Sequence, residues 1–253
     1  MSNFNNSFPQ PQANSDQDIS ITPLTSPLQI NDLFWTLQGE GRWSGRRALF
    51  VRLPFCNYDC PWCDTEYNSF KKISEDEFLQ FTKQEPARFA VITGGEPMAH
   101  KDLARIIMLL KKEGFEIACE TNGSLPIPAA IDFPTVSPKR YTQKKYPEFF
   151  IHEDALAKAK ELKYVVDDQF DFKILDRHKS STNINASVGR LETDNKLSSE
   201  VVASERFAAT AIRYSLTPEY STMKQQLPRV LAYIKDNPQW QLNLQTHKWI
   251  DIP

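Results

Sequence analysis

Apolar and polar positions along this chain follow two periods that alternate. Six short runs rich in β-branched and aromatic residues read as strands: ALFVRL (48–53), FAVIT (89–93), FEIACE (115–120), PTVS (134–137), LKYVV (162–166) and AIRYSL (211–216). Helical patterns lie between them. Ser74 followed by Glu77 forms a capping box for a helix over about 75–84. Leu103, Ile106, Ile107 and Leu110 make a stripe at helical spacing, and Gly114 suits the position just past its end. Further helices are expected over 153–161 and 224–236, the second with Leu227, Val230, Leu231 and Ile234 on one face.

Strands that alternate with helices are the signature of parallel β-α units. Six strands are too few for a closed eight-stranded barrel, so the expected fold is α/β, a partial, open (β/α) barrel of about six parallel strands. Reactive loops in such folds gather at the carboxyl ends of the strands. The cysteine-bearing loop follows the first strand, TGGEP the second, TNG the third and SPK the fourth. All four polar segments should therefore meet at one rim.

Residues 1–27 are rich in Asn, Gln, Ser and Pro without a hydrophobic period, and read as a disordered tail. One domain is expected over 28–253, interrupted by a polar, Ser/Asn-rich insertion at about 177–206. At 253 residues, 40% hydrophobic and 25% charged, the chain can bury a full core. A net charge of -2 gives no general reason to bind nucleic acid or an anionic membrane, which favours a small-molecule substrate. No apolar run approaches the ~20 residues that span a bilayer. The first basic residue is Arg42, so neither a secretory signal nor a transit peptide is apparent, and a cytoplasmic location is expected. Of four cysteines, three fall within 56–63, which suits metal ligation better than a disulfide framework.

In CNYDCPWC, Cys56, Cys60 and Cys63 have the spacing C-x3-C-x2-C. Three thiolates on one tight loop can take three corners of a cubane iron–sulfur cluster, and the loop holds no fourth cysteine. A structural zinc site or a ferredoxin cluster would normally close its coordination with a fourth ligand. An iron left open can instead accept the amino and carboxylate groups of S-adenosylmethionine and pass an electron to its sulfonium. Thr93-Gly94-Gly95-Glu96-Pro97 ends an apolar strand, where paired glycines would let backbone groups approach a ligand closely. Cys119, inside FEIAC, reads as a buried core thiol.

The cysteine loop followed by GGEP resembles the radical S-adenosylmethionine superfamily. LQGEG (37–41), FVRL (50–53), CNYDCPWCDT (56–65), TGGEP (93–97), ETNG (120–123), SPK (137–139) and QTHKWIDIP (245–253) narrow the resemblance to the 7-carboxy-7-deazaguanine synthase family. It runs from about Phe34 to the C-terminus. Two departures stand out: Phe55 where a Gly is usual before the first cysteine, and the length of the 177–206 insertion.

The resemblance implies cofactors and roles. Cys56, Cys60 and Cys63 would hold a 4Fe-4S cluster. Trp62, Cys63, Asp64, Gly95, Ser137, Pro138 and Lys139 would seat S-adenosylmethionine, and Thr65 would ligate Mg2+. The substrate would be 6-carboxy-5,6,7,8-tetrahydropterin, contacted by Leu37, Gln38, Gly39, Thr93 and Pro253, with Arg52 pairing its carboxylate. Glu40, Glu120 and His247 could shape the site or serve the backbone. Beyond the cluster and the radical it generates, no separate catalytic side chain is assigned. An electron donor such as flavodoxin and a homodimer are also implied. The rival within the superfamily is an enzyme that activates a partner protein by making a glycyl radical; the rival outside it is a zinc-binding module.

Overall fold

The structure, a computed structural model, describes residues 26–66, 68–176 and 212–253. The expected tail, apart from Ser26 and Pro27, and the whole 177–206 insertion lie outside the described residues.

All six expected strands form, and they are neighbours in one sheet. In chain order the strands are β1 (Leu28–Ile30), β2 (Asp32–Leu37), β3 (Arg47–Leu53), β4 (Lys71–Ile73), β5 (Phe89–Gly94), β6 (Glu116–Thr121), β7 (Phe133–Val136), β8 (Glu161–Val166), β9 (Arg213–Pro218) and β10 (Trp240–Leu242). Eight of them make a sheet of order β10-β9-β8-β7-β6-β5-β3-β2, parallel throughout except for the antiparallel β2–β3 pair. β10 and β2 are its two edges, so the barrel is open. β1 and β4 form a separate antiparallel ribbon. Two strands of the main sheet were not anticipated. β10 is only three residues long, and β2 is an edge strand whose side chains are mostly half-buried, so neither carries a strong apolar run.

The helices are α1 (Glu75–Thr82), α2 (Leu103–Lys112), α3 (Glu153–Lys158) and α4 (Met223–Asp236). The capping box at the start of α1 is present: Ser74 Oγ accepts from Glu77 N–H, and Glu77 Oε2 accepts from Ser74 N–H. Along α2 the stripe is buried as its spacing predicts, and Gly114 follows with φ +77°. Two helix expectations need correction. α3 stops at Lys158 because Ala159 turns extended and Glu161 already belongs to β8. On α4, Leu231 is 48% exposed; the buried face runs through Gln226 and Val230, with Tyr233 packed against the core. No helix among the described residues is long and apolar enough to cross a membrane.

Strand alternation divides the sheet into two faces. Leu49, Val51, Leu53, Ala90, Ile92, Ile117 and Cys119 point to the helical layer, where they join Phe78, Ile106, Leu110 and Phe115 in the main core. The other face lines the barrel. Near the amino ends of the strands it is apolar, with Ala48, Phe89, Val91, Ala118 and Phe133 closed off by Trp43. Two to four residues further along it becomes polar, with Thr93 on β5 and Glu120 on β6, and Lys163 on β8 and Thr217 on β9 line the same cavity. The barrel is thus plugged at one end and wet at the other.

Ile106 is fully buried between sheet and α1. Ile106→Ala should destabilise the protein by about 2–5 kcal/mol, read as a lower denaturation midpoint at unchanged denaturant dependence.

Candidate active site

The polar end of the barrel opens into a cavity of about 200 Å³. Each of the four anticipated segments contributes: Cys56, Cys60 and Cys63 after β3, Gly94 and Gly95 ending β5, Asn122 after β6, and Ser137 and Lys139 after β7. They meet at one rim, as the order of motifs and strands predicts.

The glycine pair seats the cysteine loop. Gly95 N–H donates to Leu53 O at 2.8 Å and Glu96 N–H donates to Phe55 O at 2.8 Å, extending the β3–β5 ladder past the strand ends. A Cβ on Gly95 would overlap the Phe55 carbonyl, and Gly94 at φ +116° lies against the Leu53 backbone. The space left by the missing side chains is therefore filled by the cysteine loop, while both glycines still line the cavity. Glu96 then ties this turn to the next loop. Buried to 1% exposure, it accepts from Thr121 Oγ1 at 2.7 Å, Asn122 N–H at 2.7 Å and Met98 N–H at 2.9 Å. Phe55, where a Gly is usual, adopts φ +65°. The left-handed backbone explains why glycine suits the position, and a bulky residue there is strained.

The three loop thiols form no disulfide and share the cavity. Burial pushes Cys60 up to about 11 and Cys56 upward as well, partly offset at Cys60 by nearby Lys139. As free thiols Cys56 and Cys60 resist ionising, and a cationic iron core would remove that penalty. Among the described residues no three His, Cys, Asp or Glu converge tightly enough to hold a single metal ion. Three free thiols from one loop, all lining one cavity, are the donor set that three corners of a cluster need, so the residues present fit it.

Beside the thiols, the Lys139 ammonium lies 5.4 Å from the Trp62 ring centre and donates to Ser137 Oγ. Trp62 Nε1 donates to Asp167 Oδ2 at 3.4 Å, and Tyr141 OH donates to the same oxygen at 3.1 Å. Across the cavity, Lys163 Nζ donates to Glu40 Oε2 at 2.8 Å and Glu120 Oε2 at 2.6 Å. Burial alone would raise the pKa of Glu40, but the Lys163 ammonium and the Gln245 amide bring it down to about 2. Burial works against the Lys163 charge, yet the two carboxylates hold its pKa above the usual lysine range.

LQGEG and QTHK, far apart in sequence, clamp each other. Thr246 N–H and Oγ1 both donate to Gly39 O, at 3.0 and 2.9 Å. A Cβ on Gly39 would strike the His247 ring. Gly41, at φ +65°, donates its N–H to Asn243 Oδ1 at 2.7 Å.

A model of the radical SAM superfamily matches residues 50–133, which include the cysteine loop and TGGEP. A 7-carboxy-7-deazaguanine synthase of Haemophilus influenzae is 34% identical over 226 residues, 89% of this chain and 94% of that protein. The chain belongs to the 7-carboxy-7-deazaguanine synthase family. A relative of the same name from Synechocystis is 31% identical over 90% of this chain and 95% of its own length. The crystal structure of QueE from Escherichia coli superposes with TM-score 0.54 at 25% identity, covering 87% of this chain and 93% of that one. The chain is accordingly a radical S-adenosylmethionine enzyme of that family, with a 4Fe-4S cluster and S-adenosylmethionine as cofactors.

Of the residues singled out by the family resemblance, ten line the cavity: Cys56, Cys60, Trp62, Cys63, Asp64, Thr65, Thr93, Gly95, Ser137 and Lys139. Six do not. Gln38 is buried and donates Nε2 to Glu120 Oε1 at 3.2 Å; Leu37 ends β2; Gly39 faces His247; Pro138 is buried in its loop. Arg52 is in register with Thr93 on the barrel face, but its guanidinium stacks 4.7 Å from the Phe34 ring centre and 3.7 Å from Asp32. Pro253 is exposed. Sequence reasoning missed Lys163, Thr217, Glu219 and Lys248, all of which line the cavity. Lys163 carried a signal as a charge inside the apolar run LKYVV, and Lys248 as part of QTHK.

Gly95→Ala should dislodge the cysteine loop and sharply lower the iron content of anaerobically reconstituted protein. Phe55→Gly, which removes about 1 kcal/mol or more of backbone strain, should keep wild-type iron content. Iron measured on both variants checks the seating of the loop by backbone contact.

Proposed function

We propose that this chain converts 6-carboxy-5,6,7,8-tetrahydropterin to 7-carboxy-7-deazaguanine with loss of ammonia. The observation that carries the proposal is the closed-bottomed cavity in which three unpaired thiols face a polar wall of Glu120, Lys163 and Thr93. Such a space suits a small heterocycle better than a partner chain, which argues against a glycyl-radical activating role. The conversion removes ammonia and is otherwise redox-neutral, so the protein's task is to hold one carbon of the pterin in place and exclude water.

When bound, the cluster supplies the electron that splits S-adenosylmethionine and so provides the hydrogen-abstracting radical. Cys56, Cys60 and Cys63 hold it. Trp62, Asp64, Gly95, Ser137, Pro138 and Lys139 are the residues we assign to S-adenosylmethionine, with Lys139 suited to its carboxylate. Thr65 supplies a hard hydroxyl oxygen for Mg2+, which would be completed by water and substrate oxygens. Leu37, Gln38, Gly39, Thr93 and the terminal Pro253 are assigned to the pterin.

Arg52 is the proposed partner of the substrate carboxylate. Its place beside Thr93 supports this, and engagement would exchange Asp32 for the ligand. A reductant protein such as flavodoxin, a cytoplasmic location and a homodimer complete the proposal. Anaerobic incubation of the reconstituted enzyme with reductant, S-adenosylmethionine, Mg2+ and the carboxypterin should yield the deazaguanine. Its absence from a cluster-loaded preparation would refute the proposed substrate. Arg52→Ala should raise KM for the pterin by roughly tenfold to a hundredfold, the effect of losing a charge-assisted hydrogen-bonded pair. Wild-type turnover at low substrate would exclude the carboxylate clamp.

A further inference from the structure

Five carboxylates line the cavity: Glu40, Asp64, Glu96, Glu120 and Glu219. Their hydrogen-bond inventories differ. Glu96 accepts three internal bonds at 1% exposure, and Glu219 accepts four, from the N–H and hydroxyl groups of Ser221 and Thr222. Glu40 accepts from Lys163, Asn243 and Gln245. Asp64 pairs with Lys248 and is half exposed. Glu120 accepts one bond on each oxygen, from Gln38 and Lys163, and its side chain keeps 25% exposure. A carboxylate offers about four acceptor sites. Glu120 therefore has acceptor capacity left and access to a ligand.

A pterin presents a ring N–H and an exocyclic amino group side by side, a donor edge that matches one carboxylate. We infer that Lys163 is a positioning residue that fixes the orientation and charge of Glu120 as acceptor for this edge, and that Glu40 locks Lys163 in place. The inference rests on the proposed substrate. Lys163 suits the role because it is 6% exposed, comes from the interior strand β8, and bridges carboxylates brought by β6 and by the LQGEG loop. The other titratable groups near this pair are Lys139 after β7, His247 of the terminal segment and Cys119 on the opposite face of β6. Burial keeps His247 below the ordinary histidine range and lowers Lys139 as well. Lys163 is thus the cation bonded directly to Glu120.

Without the ammonium, the Glu120 carboxylate would keep only its bond from Gln38 and lose the contact that fixes its orientation. The test uses cluster-loaded enzyme with S-adenosylmethionine and no reductant, so that the carboxypterin binds without turnover, and reads Kd. Lys163→Met should weaken binding about tenfold or more, whereas Lys163→Arg, which keeps the cation, should restore much of the affinity. Glu120→Gln should weaken binding comparably, and adding Lys163→Met to it should cost little more, because both changes remove one interaction.

Wild-type affinity in Glu120→Gln overturns the inference, whether or not Lys163→Met loads iron. So does a Lys163→Met loss that Lys163→Arg leaves unrestored, or one that adds in full to that of Glu120→Gln. If wild type itself neither binds nor converts the pterin, the substrate assignment fails first.

Discussion

Two backbone hydrogen bonds, Gly95 N–H to Leu53 O and Glu96 N–H to Phe55 O, decide where the cysteine loop sits. They are possible because nothing projects from Gly95, so the loop backbone can pack against the end of β5. Glu96 carries the constraint onward to Thr121 and Asn122, and thereby joins the loops after β3, β5 and β6 into one rigid rim. A cluster bound by three thiols on a short loop is positioned only as well as that loop. The geometry here places that precision in the backbone and the buried Glu96, leaving the cavity-facing side chains free for ligands.

A second clamp closes the other side. Gly39 packs against His247, Thr246 caps Gly39 O, and Asn243 holds Gly41 N–H, so the beginning and end of the folded domain are mutually dependent. Glu40 lies between them, bonded to Gln245 and Lys163. The segments that resemble a family at its two ends are thus one structural unit. Their glycines answer to close packing and positive φ, which is a physical reason for the pattern LQGEG to accompany QTHK.

Much of this was legible in the chain. Buried parallel strands are continuous apolar runs, and all six were found; the order of motifs along them placed four polar loops at one end. β2 and β10 escaped because an edge strand is half-solvated and a three-residue strand has no period to detect. On α4 the expected stripe holds at Val230 and Ile234 and fails at Leu231, which is exposed, while the polar Gln226 is buried with Arg229 donating to its amide oxygen. Within the site, residues of the quoted motifs were visible as motifs, whereas Lys163, Thr217 and Glu219 belong to none of them and reach the cavity only through tertiary packing. The strained Phe55 was visible as an oddity, and its φ of +65° supplies the reason.

The most direct measurement is anaerobic reconstitution with iron and sulfide, followed by electron paramagnetic resonance of the reduced protein with and without S-adenosylmethionine. Three thiolates and an open iron predict about four irons per chain and a signal that changes when S-adenosylmethionine binds. A colourless, zinc-loaded protein, or a cluster whose signal is indifferent to S-adenosylmethionine, would contradict the account.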